Sequence, residues 1–105
     1  MQIYGLKNCD TCRKALKALP EATFFDVRSD GVAENVLDAA LKRFGTALVN
    51  TRSTTWRGLD DATRAEEPFA LIKAQPAVMK RPLIVVGDQM YLGWTRDVQS
   101  ALDVT

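Results

Sequence analysis

Gln2-Ile3-Tyr4-Gly5-Leu6-Lys7-Asn8-Cys9-Asp10-Thr11-Cys12-Arg13-Lys14-Ala15-Leu16-Lys17-Ala18-Leu19-Pro20 is the stretch whose reading decides the fold. Its first residues, Gln2 to Gly5, make a short apolar run that reads as a strand. A helical run follows and stops at Pro20, which cannot continue a helix. Between the two lies Cys9-Asp10-Thr11-Cys12, which holds both cysteines of the chain. A C-x-x-C at a strand-to-helix turn points to thiol–disulfide chemistry, because a helix N-terminus stabilises a thiolate. The alternatives are a structural disulfide, half of a metal site, or two inert thiols. With two cysteines and no histidine, a four-ligand zinc site would need carboxylates or a second chain, so no metal is expected. Along the helix Cys12, Leu16 and Leu19 recur at i, i+4 and i+7, on one apolar face. Cys9 lies before that face, at the helix mouth. It is therefore expected to be the accessible attacking thiol, with Cys12 as its recessed partner.

Outward from this stretch, Thr23 to Val27 reads as a second strand rich in β-formers, and Ser29-Asp30-Gly31 as a turn. The next helix is predicted over 33–44, with Val36, Leu37, Ala40, Leu41 and Phe44 as its core stripe and Gly45 at its C-terminus. Residues 48–59 are polar and read as irregular. Two short helices are predicted over 60–66 and 69–75, separated near Pro68. Leu83-Ile84-Val85-Val86 is apolar on both faces and so reads as a central strand. Gly87-Asp88 is a two-residue hairpin signal, with Met90-Tyr91-Leu92 returning. Thr95 is placed to cap a last helix carrying Val98, Ala101 and Leu102, with Asp97 in its first turn. The order β-α-β-α-(helices)-β-β-α is an α/β layer architecture. Taken with the cysteine turn, it predicts a thioredoxin-like fold with a mixed four-stranded sheet flanked by helices. One domain is expected over residues 1–105, carrying a helical insertion over about 46–79.

Composition sets the outer limits. At 105 residues, 47% hydrophobic and 26% charged, the chain has material for one core. A net charge of +1 gives no global field, so neither nucleic acid nor a membrane is an expected partner. The absence of histidine removes the usual general base near neutral pH, so a nucleophile must be activated by position and by cations. Strand-like sequence begins at Gln2, with no charged segment ahead of an apolar one, so no signal peptide is read. The longest aliphatic run, Leu83 to Val86, is too short to cross a bilayer. A cytoplasmic monomer is expected, in a compartment where disulfides are mostly transient and functional.

An unperturbed thiol titrates near pKa ~8.5, so cations near the turn matter. Lys7, Arg13, Lys14 and Lys17 surround the pair, opposed by Asp10. Lys14 and Lys17 read as a solvated helix face, whereas Arg13 beside the turn is a candidate site residue. Pro82 reads either as a strand-leading residue or as a cis proline that brings a backbone edge beside the cysteine turn. In the second case Arg81 would flank the site and could bind an oxyanion or carboxylate in bidentate fashion. Arg52 and Arg57, with Thr51, Ser53, Thr54 and Thr55, form a loop dense in anion-binding groups. Trp56 within it is a packing anchor or a ligand wall.

Three stretches carry a resemblance: Tyr4-Gly5-Leu6-Lys7-Asn8-Cys9-Asp10-Thr11-Cys12-Arg13-Lys14-Ala15, Asn50-Thr51-Arg52-Ser53-Thr54-Thr55-Trp56-Arg57 and Lys80-Arg81-Pro82-Leu83. Over essentially its whole length the chain resembles the arsenate-reductase-like (ArsC/Spx/YffB) branch of thioredoxin-fold proteins, most of all its small YffB-type members. The resemblance implies that Cys9 is the catalytic cysteine and that Cys12 stands where Spx-like members have a second redox cysteine. It likewise implies that Arg81-Pro82 is the arginine and cis proline of the site. Asn50 and Gly93 stand near positions where arsenate reductases carry oxyanion-holding arginines, with Arg52 and Arg96 close by. The expected function, motivated by the C-x-x-C turn and the anion-binding arginines, is glutathione- or thioredoxin-linked thiol–disulfide oxidoreduction, with glutathione as the favoured co-substrate and no bound cofactor. The partners would be glutathione or a disulfide-bearing protein, with glutaredoxin as a further candidate. Alternatives are glutathione/glutaredoxin-linked arsenate reduction through Cys9, and an Spx-like redox-sensing regulator that binds RNA polymerase.

Overall fold

The architecture is taken from a computed structural model that describes residues 1–103. The domain expected over 1–105 reaches two residues, 104 and 105, beyond that range. By their contacts the residues gather into two compact units, Met1–Asp26 with Arg81–Thr105, and Val27–Lys80.

The first unit contains the sheet. Strands β1 (Gln2–Gly5), β2 (Thr23–Asp26), β3 (Leu83–Val86) and β4 (Gln89–Leu92) lie in the order β2-β1-β3-β4. β1 runs parallel to β2 and antiparallel to β3, and β3 is antiparallel to β4. The sheet is therefore mixed, and β3 is an inner strand as its two-sided apolar sequence requires. Helix α1 (Asp10–Ala18) makes the crossover between β1 and β2. β3 and β4 meet in a hairpin over Gly87-Asp88, where Gly87 has φ 58°, a backbone region open to glycine at the first central position of a tight turn. Ile3, Ala15, Leu19, Ile84 and Val98 form the core of this unit, with Leu16, Phe24, Tyr91 and Trp94 packed against it. Ala15 rather than Leu16 joins Cys12 as a fully buried residue of α1, and Leu19 is buried at the helix C-cap. The last helix of the unit (Arg96–Ala101) is capped by Thr95, whose hydroxyl accepts the Val98 N–H at 3.3 Å. The helix carries Val98, which is buried, and Ala101, which is exposed.

The second unit is helical. α2 (Val27–Asp30) follows β2 directly, so Val27 opens a helical turn instead of ending the strand. α3 (Glu34–Phe44) buries Leu37 and Ala40 and ends at Gly45. The stretch expected to be irregular is ordered in two ways. Leu48 is fully buried, and the segment from Leu48 to Asn50 pairs with 78–80: Lys80 N–H donates to Leu48 O and Asn50 N–H to Val78 O, each at 2.7 Å. Ser53 then caps α4 (Thr54–Arg57) by accepting the Trp56 N–H at 3.1 Å. α5 (Asp61–Arg64) is capped by Asp60. The two short helices are separated just before Pro68, which itself begins the second: α6 (Pro68–Ala74) has proline at N1, where its missing N–H costs nothing. The helix Arg96–Ala101 is α7. No helix among the described residues is long and apolar enough to cross a membrane.

Candidate active site

Sheet register explains how residues far apart in sequence meet. β1 pairs with β3 as Gln2↔Val85, Ile3↔Ile84 and Tyr4↔Leu83. The pairing ends at Tyr4↔Leu83, so Arg81-Pro82 enter β3 at the end of the sheet where β1 gives way to the cysteine turn. The Arg81–Pro82 peptide bond is cis. The Pro82 carbonyl accepts the Gly93 N–H at 2.8 Å, which ties the start of β3 to the end of β4.

The turn itself follows from how α1 begins. Cys9 is the N-cap residue, with φ −93° and ψ 119°. Its carbonyl already accepts the Arg13 N–H at 3.0 Å, while its own N–H donates to Leu6 O at 3.1 Å. Cys9 is partly exposed; Cys12, one turn into the helix, is fully buried, and both are free thiols. Gly5 makes that burial possible. A Cβ at Gly5 would overlap the Cys12 sulfur and lie 3.2 Å from Cys12 Cβ.

The two sulfurs have opposite acidities. Burial pushes the Cys9 thiol up, but the Cys12 backbone N–H, the Cys12 thiol and the Arg81 guanidinium together hold it below its ordinary value of 9.0. The arginine acts both as a hydrogen-bond donor and as a charge. Cys12 is pushed up to about 12, first by burial, with the Leu6 backbone N–H opposing. The neighbouring Cys9 adds to the rise by hydrogen bond and by charge, and Arg81 again opposes. Of the two thiols Cys9 therefore loses its proton first, while Cys12 keeps its own (their titrations are linked).

Of the residues singled out in the sequence, Cys9, Cys12 and Arg81 come together, with Pro82 beside them. Arg13 is engaged with the protein's own backbone, its Nε–H donating to Lys7 O at 2.9 Å. Arg52 belongs to the second unit. It is exposed beside a cleft of about 540 Å³ lined by Ala47, Val49, Asn50, Thr51, Arg52 and Lys80, and its N–H donates to Asn50 Oδ1 at 3.0 Å. Trp56 is anchored, with the Arg64 guanidinium 5.6 Å from its ring centroid and Arg64 Nε donating to its carbonyl at 3.2 Å. Sequence reading passed over Gly5, Leu6 and Asp26. A glycine closing a strand one turn ahead of a C-x-x-C was the available signal for the first. Nothing local marked the other two.

Fold and site together define a thioredoxin-like protein with a helix-mounted cysteine pair and an arginine–cis-proline strand beside it. A family model described as the ArsC family matches residues 4–102. An uncharacterized protein of Haemophilus influenzae is 38% identical over 109 residues, covering 94% of this chain and 96% of its own. The solved structure of a protein named YFFB matches with a TM-score of 0.83 at 32% identity, over 95% of this chain and 96% of that one. An arsenate reductase (ArsC) related protein from Brucella melitensis matches with a TM-score of 0.69 at 30% identity, over 98% and 94%. The chain belongs to the ArsC family, and at family level that is a class of thiol-based reductases.

Proposed function

We propose that this protein is a glutathione-linked thiol–disulfide reductase in which Cys9 attacks and Cys12 resolves. The observation that carries the reading is the division of acidity across one turn of helix: Cys9 lowered beside Arg81, Cys12 raised and buried. The Cys9 thiolate attacks one sulfur of a substrate disulfide, forming a mixed disulfide and expelling the other sulfur as a thiolate, which takes up a proton. That step removes the Cys9 negative charge, and with it two of the influences that hold the proton on Cys12. Cys12 can then lose its proton and attack the Cys9 sulfur, releasing the second substrate thiol and leaving a Cys9–Cys12 disulfide. Two glutathione molecules supply the two electrons that reduce it and leave as glutathione disulfide. The Arg81 guanidinium, able to bind a carboxylate in bidentate fashion, suits a glutathione carboxylate. Arg52, which shares its cleft with Lys80, is proposed as an anion-binding side chain of the second unit.

The test is mass spectrometry after treatment with glutathione disulfide. A glutathione adduct on Cys9 should accumulate in Cys12→Ser and be absent in Cys9→Ser. Unchanged labelling in Cys9→Ser would sink the assignment. Arsenate-dependent NADPH oxidation, coupled through glutathione and glutaredoxin, would instead redirect the reading to oxyanion reduction.

A further inference from the structure

The peptide units flanking Lys7 are gripped from both sides. The Lys7 N–H donates to Asp26 Oδ2 at 3.1 Å, and the Lys7 carbonyl accepts the Arg13 Nε–H at 2.9 Å. Asp26 closes β2, Arg13 stands in the first turn of α1, and Lys7 lies between β1 and Cys9. The segment leading into Cys9 is therefore tied at one residue to a neighbouring strand and to the helix it precedes. The adjoining Leu6 carbonyl accepts the Cys9 N–H at 3.1 Å. Arg13 also meets Asp10, at 3.7 Å between NH1 and Oδ1, but those side chains are 63% and 90% exposed, and such surface pairs contribute little. The bond to Lys7 is the directional one, since a charged donor meets a carbonyl at short range.

We infer that Arg13 and Asp26 are positioning residues: by clamping Lys7 they fix the cysteine turn, and so the angle at which the Cys9 sulfur meets Cys12 and Arg81. This builds on the reading of Cys9 as an activated nucleophile. It gives Arg13 a different task from binding a substrate anion. The guanidinium acts through the backbone, by geometry, and its charge is secondary. Charge and geometry separate cleanly at this position, because glutamine carries its Nε2 the same number of bonds from the backbone as the Nε of arginine. Arg13→Gln therefore removes the charge and keeps a donor for the Lys7 carbonyl. Arg13→Ala removes both.

The experiment is the rate of Cys9 alkylation by iodoacetamide across pH in the reduced, full-length protein, with thermal unfolding recorded alongside. Arg13→Ala should slow alkylation at pH 7 by about three- to tenfold, as the loss of one good hydrogen bond implies, and move the pH midpoint upward. Arg13→Gln should stay within about twofold of the parent protein. Both should remain folded at the assay temperature, because Arg13 is exposed. Alkylation of the alanine variant at the parent rate would overturn the clamp, and so would a glutamine variant as slow as the alanine one. An ordinary thiol profile in the parent protein would overturn the activated-Cys9 reading and this inference together.

Discussion

Cys9 and Cys12 stand one helical turn apart and occupy opposite environments. The first caps α1 at the surface of its unit, facing an arginine and the Cys12 backbone N–H; the second is sealed in the core behind Gly5. The same functional group is made more acidic in one place and less acidic in the other by position alone. A C-x-x-C motif therefore encodes an asymmetry that the two identical letters conceal. Its source is the helix: three residues carry the chain from a non-helical cap to an inward-facing position.

The broadest way to break this comparison is to remove each sulfur in turn. Cys9→Ser should lower disulfide-reductase turnover by about a thousandfold or more, as loss of a nucleophile does. Cys12→Ser should leave the first attack intact and block its resolution, so a burst of one thiol per protein appears before turnover stalls. Equal losses of the burst in both variants would erase the distinction between the two thiols.

Next in size is the packing that keeps Cys12 buried. Gly5→Ala places a Cβ onto the Cys12 sulfur, and overpacking of this kind costs about 1–3 kcal/mol. Removing that sulfur should relieve the clash. Urea unfolding of Gly5→Ala in a Cys12→Ala background should therefore show a markedly smaller cost than in the parent, a non-additive pair. Additive costs would mean that the two residues do not share the space. A smaller effect is expected on the Cys9 side. Arg81→Ala removes a donor and a charge from the Cys9 sulfur and should slow alkylation at pH 7 by roughly three- to tenfold. Alkylation unaffected by Arg81→Ala would leave the Cys12 backbone N–H and thiol as the activators of Cys9.

Much of this arrangement was legible in the sequence, and for physical reasons. α1, β3, the Gly87-Asp88 hairpin and the Thr95 cap are each signalled by neighbours within a few residues, where periodicity and turn chemistry act. The Arg81–Pro82 bond could be read two ways until the sheet register brought β3 beside β1. The stretch 48–59 misled because its order comes from pairing distant in sequence, Leu48 with Lys80, and from one serine cap amid many equivalent hydroxyls. Leu16 outranked Ala15 by hydrophobicity, yet the tight approach of α1 to the sheet favours the smaller side chain at the fully buried position. The clamp on Lys7 was invisible for the same reason as the pairing: Asp26 reaches it over a separation of 19 residues.

The subtlest prediction sharpens the comparison through pH and stability. Between its lowered folded value and 9.0, Cys9 is ionised in the folded protein while the unfolded chain still holds that proton. The unfolded state binds more protons there, so Cys9 makes stability rise with pH through that window. Cys12 has the reverse sign. Between 9.0 and about 12 the folded protein keeps the proton and the unfolded chain releases it, so stability falls as pH rises. Tyr4, raised above 10.0 by burial, acts in the same sense as Cys12 but only from about pH 10 upward, which leaves pH 9–10 as the diagnostic interval. Cys12→Ala adds a cavity cost that does not depend on pH. The stability of the parent relative to this variant should therefore decline from pH 9 to 10, by at most about 1.4 kcal/mol, as urea unfolding can measure. A difference that stays flat across that interval would mean Cys12 ionises in the folded protein as easily as in the unfolded chain. The contrast between the two thiols would then rest on Cys9 alone.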